Sequence, residues 1–449
     1  MLKSIKKIIE KKETLSEAIY KSSCLNFSSK FLGYLRYLCI AIFLGFNRQT
    51  DAFFIAFGLL KMFMIFMDTF NSVGIPNLVR ARNLSEEEYH NCSVSLMTLT
   101  LVMALLTTSS ALLVSPFISK IAFGFSAHQQ ANVHLYFLLL IPELFFAFPF
   151  HYFGAILRSE RKFTAYFLGD FIYSLTSTLT LFITLPWLHA AWCIPVAFSL
   201  AQIITTIYIS ACAWKFLHLK LKLDDQTKRI ARQILSVLCQ YAVVPVHILT
   251  ASLFASYLPA KSISALYYGF MIARIPSGVL QFSNIAITSL SESEANWKMV
   301  KLYLRNLTLL SIPFIAGCWL FIAPVLKIFL SYGHFSTIDT GLTIEAVRYY
   351  ILSLPFFLCW PILERTFQIK KKIFPLVLIS SAGVIFNAAL KALFIFHFHL
   401  TIRAITFSNF LWLSFLCAIS YAYLSPWVFF KFNKGITLFL SKNKVEENR

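Results

Sequence analysis

Three basic side chains lie halfway along apolar stretches that are long enough to cross a lipid bilayer. They are Arg36 in LGYLRYLCIAIFLGF (32–46), Lys61 in FFIAFGLLKMFMIFM (53–67) and Arg274 in ALYYGFMIARIPSGVL (265–280). A cation at the centre of a bilayer costs roughly 2.5–3.5 kcal/mol, so it normally faces a partner or a water-filled cavity. Guanidinium and ammonium groups in such a cavity are good hosts for phosphate. The three positions therefore predict a membrane protein that handles an anion.

Lys61 and Arg274 also have an alternative role, as members of ion pairs within the protein. Asp68 lies about two helical turns after Lys61 on the same face, and Asp51 is a second acidic candidate. Lys30 stands near the start of its apolar stretch, where its side chain can extend to the inner headgroups. We favour a cavity-lining role for the three mid-depth cations and keep Lys30 as a further candidate.

Composition indicates an integral membrane protein with almost nothing outside the bilayer. The 449 residues are 58% hydrophobic and 13% charged, whereas soluble domains are roughly 25% charged. Apolar runs of about 18 or more residues, each sufficient for one span, recur along the whole chain. The predicted fold class is therefore all-α. We predict twelve transmembrane helices, at 24–46, 51–75, 93–118, 131–157, 163–185, 190–214, 234–257, 264–290, 306–330, 342–364, 373–396 and 404–430.

The longest polar connection follows the sixth predicted helix and divides the chain into two halves. An even number of spans in each half gives both halves the same orientation, and such parallel repeats usually enclose a site at mid-depth. The predicted parts are a basic interfacial segment at 1–23, an N-terminal lobe at 24–214, a cytoplasmic linker at 215–233, a C-terminal lobe at 234–430 and a basic cytoplasmic tail at 431–449.

Weak internal similarity supports two pseudo-symmetric six-helix lobes around a central cavity. TDAFFIAF (50–57) opens the second predicted helix, and ISALYYGF (263–270) opens the eighth, which is the second helix of the other half. Lys61 and Arg274 therefore lie at matching depth in matching helices. The alternative is that any two aromatic-rich helices look alike.

The net charge of +20 reports topology rather than nucleic-acid binding. Most of the 40 lysines and arginines lie on alternate connections between the predicted spans and on the two terminal segments. This asymmetry predicts that those connections and both termini are cytoplasmic. Anionic membrane lipids are the expected contact of the basic segments, and no nucleic-acid partner is expected.

The motifs of several enzyme and cofactor classes are absent from the sequence. GxxxxGK[ST], HExxH and GxSxG do not occur, and the nine cysteines show neither paired spacing nor CxxC. Glu143, Asp170 and Glu364 are single acids in apolar runs, each either proton-linked or a buried structural carboxyl. We therefore expect a transporter rather than an enzyme, with no metal and no cofactor.

Four segments resemble the MviN/MurJ lipid II flippases, and they keep the order and spacing of that family. They are SSKFLGYLR (28–36), TDAFFIAF (50–57), LYYGFMIARIPSGVL (266–280) and FLSYGHFSTIDTGLT (329–343). The resemblance implies the fold of the multidrug/oligosaccharidyl-lipid/polysaccharide (MOP) exporters, shared with MATE transporters. It implies alternating-access movement of undecaprenyl-pyrophosphate-linked peptidoglycan precursor, lipid II, to the outer leaflet of the bacterial cytoplasmic (inner) membrane.

The resemblance also suggests site residues, position by position. The first-helix motif of the family falls on Ser29, Lys30 and Arg36, and its aspartate falls on Asp51. These four, with Lys61 and Arg274, are the predicted substrate-binding residues. The remaining family arginines are replaced by Met64 and Met271, which lie one helical turn from Lys61 and Arg274 respectively.

Two further departures put the exact substrate and coupling ion in question. Members of the family carry two more C-terminal helices, and some bind sodium near a position where this chain has Lys391 one turn after Asn387. Proteins of peptidoglycan synthesis are expected partners. The alternative functions are a flippase for another polyprenyl-linked oligosaccharide, a drug exporter of the same fold, and a non-transporting scaffold for envelope assembly.

Overall fold

The computed structural model describes the placement of residues 15–67, 73–216, 224–241, 243–280, 290, 295–330, 333–370 and 372–425. Every regular element in these ranges is a helix, which confirms the predicted all-α class. Asp68, the tail at 431–449 and most of the interfacial segment 1–23 lie outside the described residues. The predictions made for them stay predictions.

The helices follow one another with short connections. Along the first part of the chain the described helices are α1 (Leu15–Leu44), α2 (Arg48–Met64), α3 (Ile75–Leu84), α4 (Glu86–Ile118), α5 (Ala127–Leu139), α6 (Ile141–Ser159), α7 (Phe163–Leu188), α8 (Cys193–Cys212), α9 (Asp225–Tyr241) and α10 (Val243–Ser256). The later ones are α11 (Ser262–Ala273), α12 (Ile275–Leu280), α13 (Trp297–Leu330), α14 (Thr337–Ile351), α15 (Leu354–Ile369), α16 (Ile373–Ala392) and α17 (Ile402–Leu424).

The helices group into two compact units. The first comprises the described residues up to Ala265 together with Lys327–Gly341, and the second comprises Leu266–Leu326 with those from Leu342 onwards. Helix α9 begins within the connection predicted as a linker at 215–233. The division into lobes at 24–214 and 234–430 stays a prediction.

Many of these helices are long enough to span a membrane. Among the described residues, eight helical stretches pass by length and apolar composition, or nine if the bent pair α14 and α15 counts as one span. The second, seventh and eighth predicted spans fall on shorter or interrupted helices, or partly outside the described residues. The chain is therefore a multi-pass membrane protein, and the number of twelve spans stays a prediction.

Prolines explain where several helices begin or break. Proline is the second residue of four helices: Pro76 in α3, Pro142 in α6, Pro276 in α12 and Pro355 in α15. A proline lacks the N–H that would continue the preceding helix, and its ring clashes with the carbonyl four residues earlier. The predicted spans 264–290 and 342–364 are therefore not continuous. The first breaks at Arg274, and the second bends by 45° between α14 and α15.

Packing in the first unit places five helices around the predicted cations. Helix α7 packs against both α1 and α8, and α8 packs against α6. Helix α2 packs against α5, α6 and α10. The inward faces of α1, α2, α6, α7 and α8 therefore determine the surroundings of Arg36 and Lys61.

Connections at one end of the first unit meet through backbone contacts. Gly45 ends α1 at φ +63°, a left-handed conformation that glycine adopts freely, and a side chain there would overlap the carbonyl of His334. The amide of His334 donates to the carbonyl of Ile42 at 2.8 Å. The main-chain amide of Gly124 donates to the side-chain Oγ of Ser256 at 3.0 Å. This end of the unit is thus closed by loop-to-loop hydrogen bonds.

Candidate functional site

Arg36 lies on α1 with 8% of its surface exposed. Its Nη1 donates to Oγ of Ser177 on α7 at 2.7 Å. The guanidinium carbon lies 4.3 Å from the ring centre of Phe198 on α8, and 5.2 and 5.6 Å from those of Tyr37 and Tyr173. Aromatic faces attract a guanidinium, most strongly where water is excluded. Helices α1, α7 and α8 therefore hold this buried cation in a defined position.

Lys61 contacts the same aromatic group from another helix. The rings of Phe198 and Phe57 meet edge to face with their centres 5.2 Å apart. Nζ of Lys61 lies 4.3 Å from the ring centre of Phe57, and its side chain is exposed. The structure thus places Arg36 and Lys61 at the two ends of one aromatic pair, a proximity that their sequence separation does not reveal.

Glu143 lies near the start of α6 and is an acid on which both cations act. It is 4% exposed, and its Oε1 accepts a hydrogen bond from the hydroxyl of Tyr173 at 2.9 Å. Arg36 and Lys61 both act electrostatically on this carboxyl group. Its Oε2 is buried and accepts no hydrogen bond from any residue that the structure describes. The cluster of Arg36, Lys61, Glu143 and Tyr173 is named here the cationic site.

Ser29 and Lys30 lie on the same helix as Arg36. Oγ of Ser29 donates to the main-chain carbonyl of Asp170 at 3.0 Å and shares a hydrogen bond with Oγ of Ser174 at 2.8 Å. These contacts join α1 to α7 along the length that positions Arg36. Lys30 is half-buried. Direct contact of either side chain with substrate stays a prediction.

Asp51 is fully buried and caps the N-terminus of α11. Its Oδ2 accepts from the main-chain amide of Lys261, and its Oδ1 accepts from both the amide and the hydroxyl of Ser264, at 2.6–2.8 Å. A carboxylate at this position satisfies orphan N–H groups and complements the helix dipole. Asp51 therefore has a structural role, and its predicted contact with substrate stays a prediction.

A second acid strengthens this end of the first unit. Asp339 pairs with Nζ of Lys261 at 2.9 Å, and it exchanges capping hydrogen bonds with Ser336 at the start of α14. Lys261, the last residue of the loop between α10 and α11, is thus held through its main-chain amide by Asp51 and through its side chain by Asp339.

Arg274 belongs to the second unit and occupies the break between α11 and α12. Its main-chain carbonyl accepts from Oγ of Ser277 at 2.8 Å, and its guanidinium carbon lies 5.1 and 5.3 Å from the ring centres of Phe270 and Phe357. The side chain is exposed. An interrupted membrane helix exposes main-chain groups that commonly form ligand sites.

An apolar cavity of about 360 Å³ lies beside this break, within the second unit. Ile272 and Ile275 flank Arg274 in sequence and line the cavity, together with Pro276, Pro313, Phe314, Gly317, Cys318 and Ile351. The break therefore carries a cation and an apolar hollow next to each other.

Lys391, one turn after Asn387 on α16, is 1% exposed. Nδ2 of Asn387 donates to Oδ1 of Asn409 on α17 at 3.3 Å. No three His, Cys, Asp or Glu side chains converge as metal ligands within the described ranges. The expectation that the chain binds no metal stays a prediction.

Sequence reasoning found the cations but missed the groups that surround them. Tyr173, Ser177 and Phe198 lie on α7 and α8, far from Arg36 in sequence, and have no motif of their own. Glu143 stood out only as an acid in an apolar run. Its relation to two cations on α1 and α2 depends on helix packing, which no spacing encodes.

Comparison with known proteins gives the same family that the motifs suggested. Residues 40–445 match the family described as lipid II flippase MurJ. A probable lipid II flippase MurJ of Buchnera aphidicola subsp. Baizongia pistaciae is 25% identical over 419 residues, covering 89% of this chain and 82% of the relative. One of the same name from Aquifex aeolicus is 27% identical over 379 residues, covering 82% and 74%.

Solved structures of two kinds share the fold. A lipid II flippase MurJ in an inward closed conformation gives a TM-score of 0.75 at 19% identity, with 93% of this chain and 91% of that chain covered. An inward-facing MATE multidrug transporter of the MOP superfamily gives 0.64 at 14% identity, with 89% and 97% covered. The predicted MOP fold is confirmed. Because the family match spans most of the chain, the protein belongs to the MurJ family of lipid II flippases.

Proposed function

We propose that this protein moves lipid II from the inner to the outer leaflet of the bacterial cytoplasmic membrane by alternating access. The observation that carries the proposal is the cationic site, where Arg36 and Lys61 meet one aromatic pair inside a membrane-spanning unit. A diphosphate linkage carries two negative charges on adjacent phosphates. Two cations held at a fixed separation suit such a group better than they suit a single charge.

The fixed geometry of Arg36 favours recognition over random attraction. Its bond to Ser177 uses one of the five N–H donors that a guanidinium carries. The aromatic faces of Phe198 and Tyr173 restrict the plane of the fork. Less conformational entropy is then lost when a phosphate binds.

Lys61 and Arg274 are proposed to replace family arginines whose positions here are Met64 and Met271. Residues three apart share a helix face, at about 5 Å along the axis. Lysine binds phosphate as a point charge without the fork of arginine. We also propose Ser29, Lys30 and Asp51 as contacts of the substrate. The hydrogen bonds of Ser29 and Asp51 within the protein join helices.

The proposed setting follows from the charge distribution. Both termini are cytoplasmic, the basic connections contact anionic lipids of the inner leaflet, and enzymes of peptidoglycan synthesis supply and consume the substrate. Among the alternatives, export of organic cations calls for acids rather than cations in the binding site. A scaffold role gives no reason for desolvating Arg36.

Reconstitution tests the proposal directly. Vesicles containing only this protein and fluorescent lipid II are mixed with an impermeant quencher, and the rate at which inner-leaflet lipid becomes accessible is measured. We expect translocation well above protein-free vesicles, and strong loss in Arg36→Ala. Arg365→Ala is the matched control, because Arg365 is exposed and bonds Gln368 on its own helix.

Two results would contradict the proposal. Wild-type protein that moves lipid II no faster than empty vesicles would exclude flipping by this chain alone. Normal translocation by a Lys61→Ala/Arg274→Ala double variant would exclude the cationic mechanism.

A further inference from the structure

Glu143 differs from the structural acid Asp51 in how its oxygens are satisfied. Both oxygens of Asp51 accept hydrogen bonds, from three donors in total. Glu143 is equally enclosed, yet only Oε1 has a donor, the hydroxyl of Tyr173. Its Oε2 is buried without a hydrogen bond from any described residue. An unsatisfied buried oxygen is costly and therefore calls for a functional explanation.

The titratable neighbours of Glu143 come from three helices. Tyr173 faces it from α7, Arg36 acts on it from α1, and Lys61 acts on it from α2. Helices α3, α4, α5 and α8 also pack near α6. Tyr173, Arg36 and Lys61 are the titratable groups that act on this carboxyl among the described residues. The site therefore holds two cations and one acid, with a tyrosine hydroxyl as the acid's donor.

The charge of the site depends on whether Glu143 is ionised. With an ionised carboxylate, the two cations are partly neutralised and the empty site is stable in the membrane. With a protonated carboxyl, both cations act undiminished on an incoming anion. A bound diphosphate in turn favours the protonated form, because two negative charges in one low-dielectric site repel each other.

We propose that Glu143 is the proton-binding group of the cationic site: it is the counter-anion of Arg36 and Lys61 when the site is empty, and it takes up a proton when a diphosphate headgroup binds. This inference rests on the proposed function. One proton leaves hydronium or a buffer acid in solution and forms an O–H bond at Oε2, so one bond to hydrogen breaks as the other forms. Tyr173 keeps the carboxyl oriented in both states through Oε1.

The linkage has a defined sign. Because the bound state holds the extra proton, binding strengthens as pH falls, by at most about tenfold per pH unit for one linked proton. The effect disappears at low pH, where Glu143 is protonated before the lipid binds.

Calorimetry on the full-length protein in nanodiscs tests the inference. Lipid II is the probe, because its diphosphate diester has no group that titrates near neutrality, so any proton exchanged belongs to the protein. Binding heats measured in two buffers with different ionisation enthalpies give the number of protons taken up. We expect about one proton for wild type. We expect none for Glu143→Gln, with affinity independent of pH.

Matched variants separate this role from a structural one. Glu364→Gln makes the same chemical change on an acid of α15 whose charged neighbour is Arg365, and it should keep wild-type uptake. Tyr173→Phe removes the donor that favours the ionised carboxylate, so the pH range of uptake should move upward. This second variant and the wild-type count keep the test informative if Glu143→Gln folds poorly.

The outcomes are distinct. Wild-type binding without proton uptake, or unchanged uptake in a folded Glu143→Gln variant, overturns the role of Glu143. Failure of the wild-type protein to bind lipid II at all overturns the proposed function, and this inference with it.

Discussion

At the residue scale, two buried charges of the first unit have opposite environments. Asp51 accepts hydrogen bonds from donors at the start of α11, so its carboxylate is satisfied within the protein. Arg36 lies against aromatic faces and donates a hydrogen bond to one hydroxyl, and these contacts hold its guanidinium in position. The first arrangement is what a structural charge needs, and the second is what a binding site needs.

Substitution of Arg36 separates charge from geometry. A charge-assisted contact with phosphate contributes roughly 1.5–3 kcal/mol, so Arg36→Ala should weaken lipid II binding about ten- to a hundredfold. Arg36→Lys keeps the charge but loses the fork and should fall between the two. Both should stay folded, because Arg36→Lys keeps the counter-charge of Glu143, and in Arg36→Ala the buried carboxyl neutralises by binding a proton. Equal affinities for wild type and Arg36→Ala in a direct binding assay would contradict this role.

Lys61 tests whether a displaced cation still serves the site. Lys61→Ala should reduce translocation with little change in melting temperature, since the side chain is exposed. Adding Met64→Arg to Lys61→Ala returns a cation one turn away on the same face and should restore part of the rate. An ion-pair role for Lys61 predicts the opposite pattern: a lower melting temperature with normal translocation per folded molecule.

At the element scale, features with a local cause could be predicted from the sequence, whereas contacts between helices could not. Helix breaks follow from Pro142, Pro276 and Pro355, because proline acts locally. The neighbours of Arg36 did not follow, because Ser177 and Phe198 reach it only through the packing of α1 against α7 and of α7 against α8. The break at Arg274 has a local cause in Pro276, but the sequence analysis predicted one continuous span at 264–290 because the whole run is apolar.

The cap of α11 should contribute measurably to stability. Asp51→Ala leaves buried donors unsatisfied, each costing about 1–3 kcal/mol, so the melting temperature of purified protein should fall clearly. Asp51→Asn keeps one acceptor oxygen and should be less harmful. Asp225→Ala is the control, because Asp225 is a fully exposed acid at the start of α9. An Asp51→Ala protein with wild-type stability would show that the cap is dispensable.

Close packing at Gly269 offers a test confined to the second unit. A Cβ added at Gly269 would overlap Cβ of Ala346 and come within 3.1 Å of main-chain atoms of Ala346 and Val347. Gly269→Ala should therefore destabilise the protein, and a second change, Ala346→Gly, should recover part of the loss. Gly317→Ala is the control, since open space surrounds that position. No rescue by the double variant in thermal unfolding would argue against this contact.

At the scale of the whole molecule, hydrogen bonds within the first unit sort its connections into two ends. At one end, Gly124 bonds Ser256. At the other, Nη1 of Arg82 donates to the carbonyl of Ser159, and Asn77 bonds Gln233 at 2.8 Å. Alternate connections thus share an end, as a helix that crosses and returns requires. The second end also carries most of the basic clusters, including those at 158–162 and 228–232.

The structure groups the connections, and the charges then predict which group faces the cytoplasm, because positively charged loops stay inside. His128→Cys and Lys228→Cys, each made alone in a protein whose nine native cysteines are changed to serine, form a matched pair. Both positions are exposed and lie at opposite ends. An impermeant maleimide added to intact cells should label the residue-128 cysteine and spare the residue-228 cysteine until the membrane is opened. The reverse pattern would place the basic end outside and invert the proposed direction of transport, whereas labelling of both from outside would contradict the alternation of spans itself.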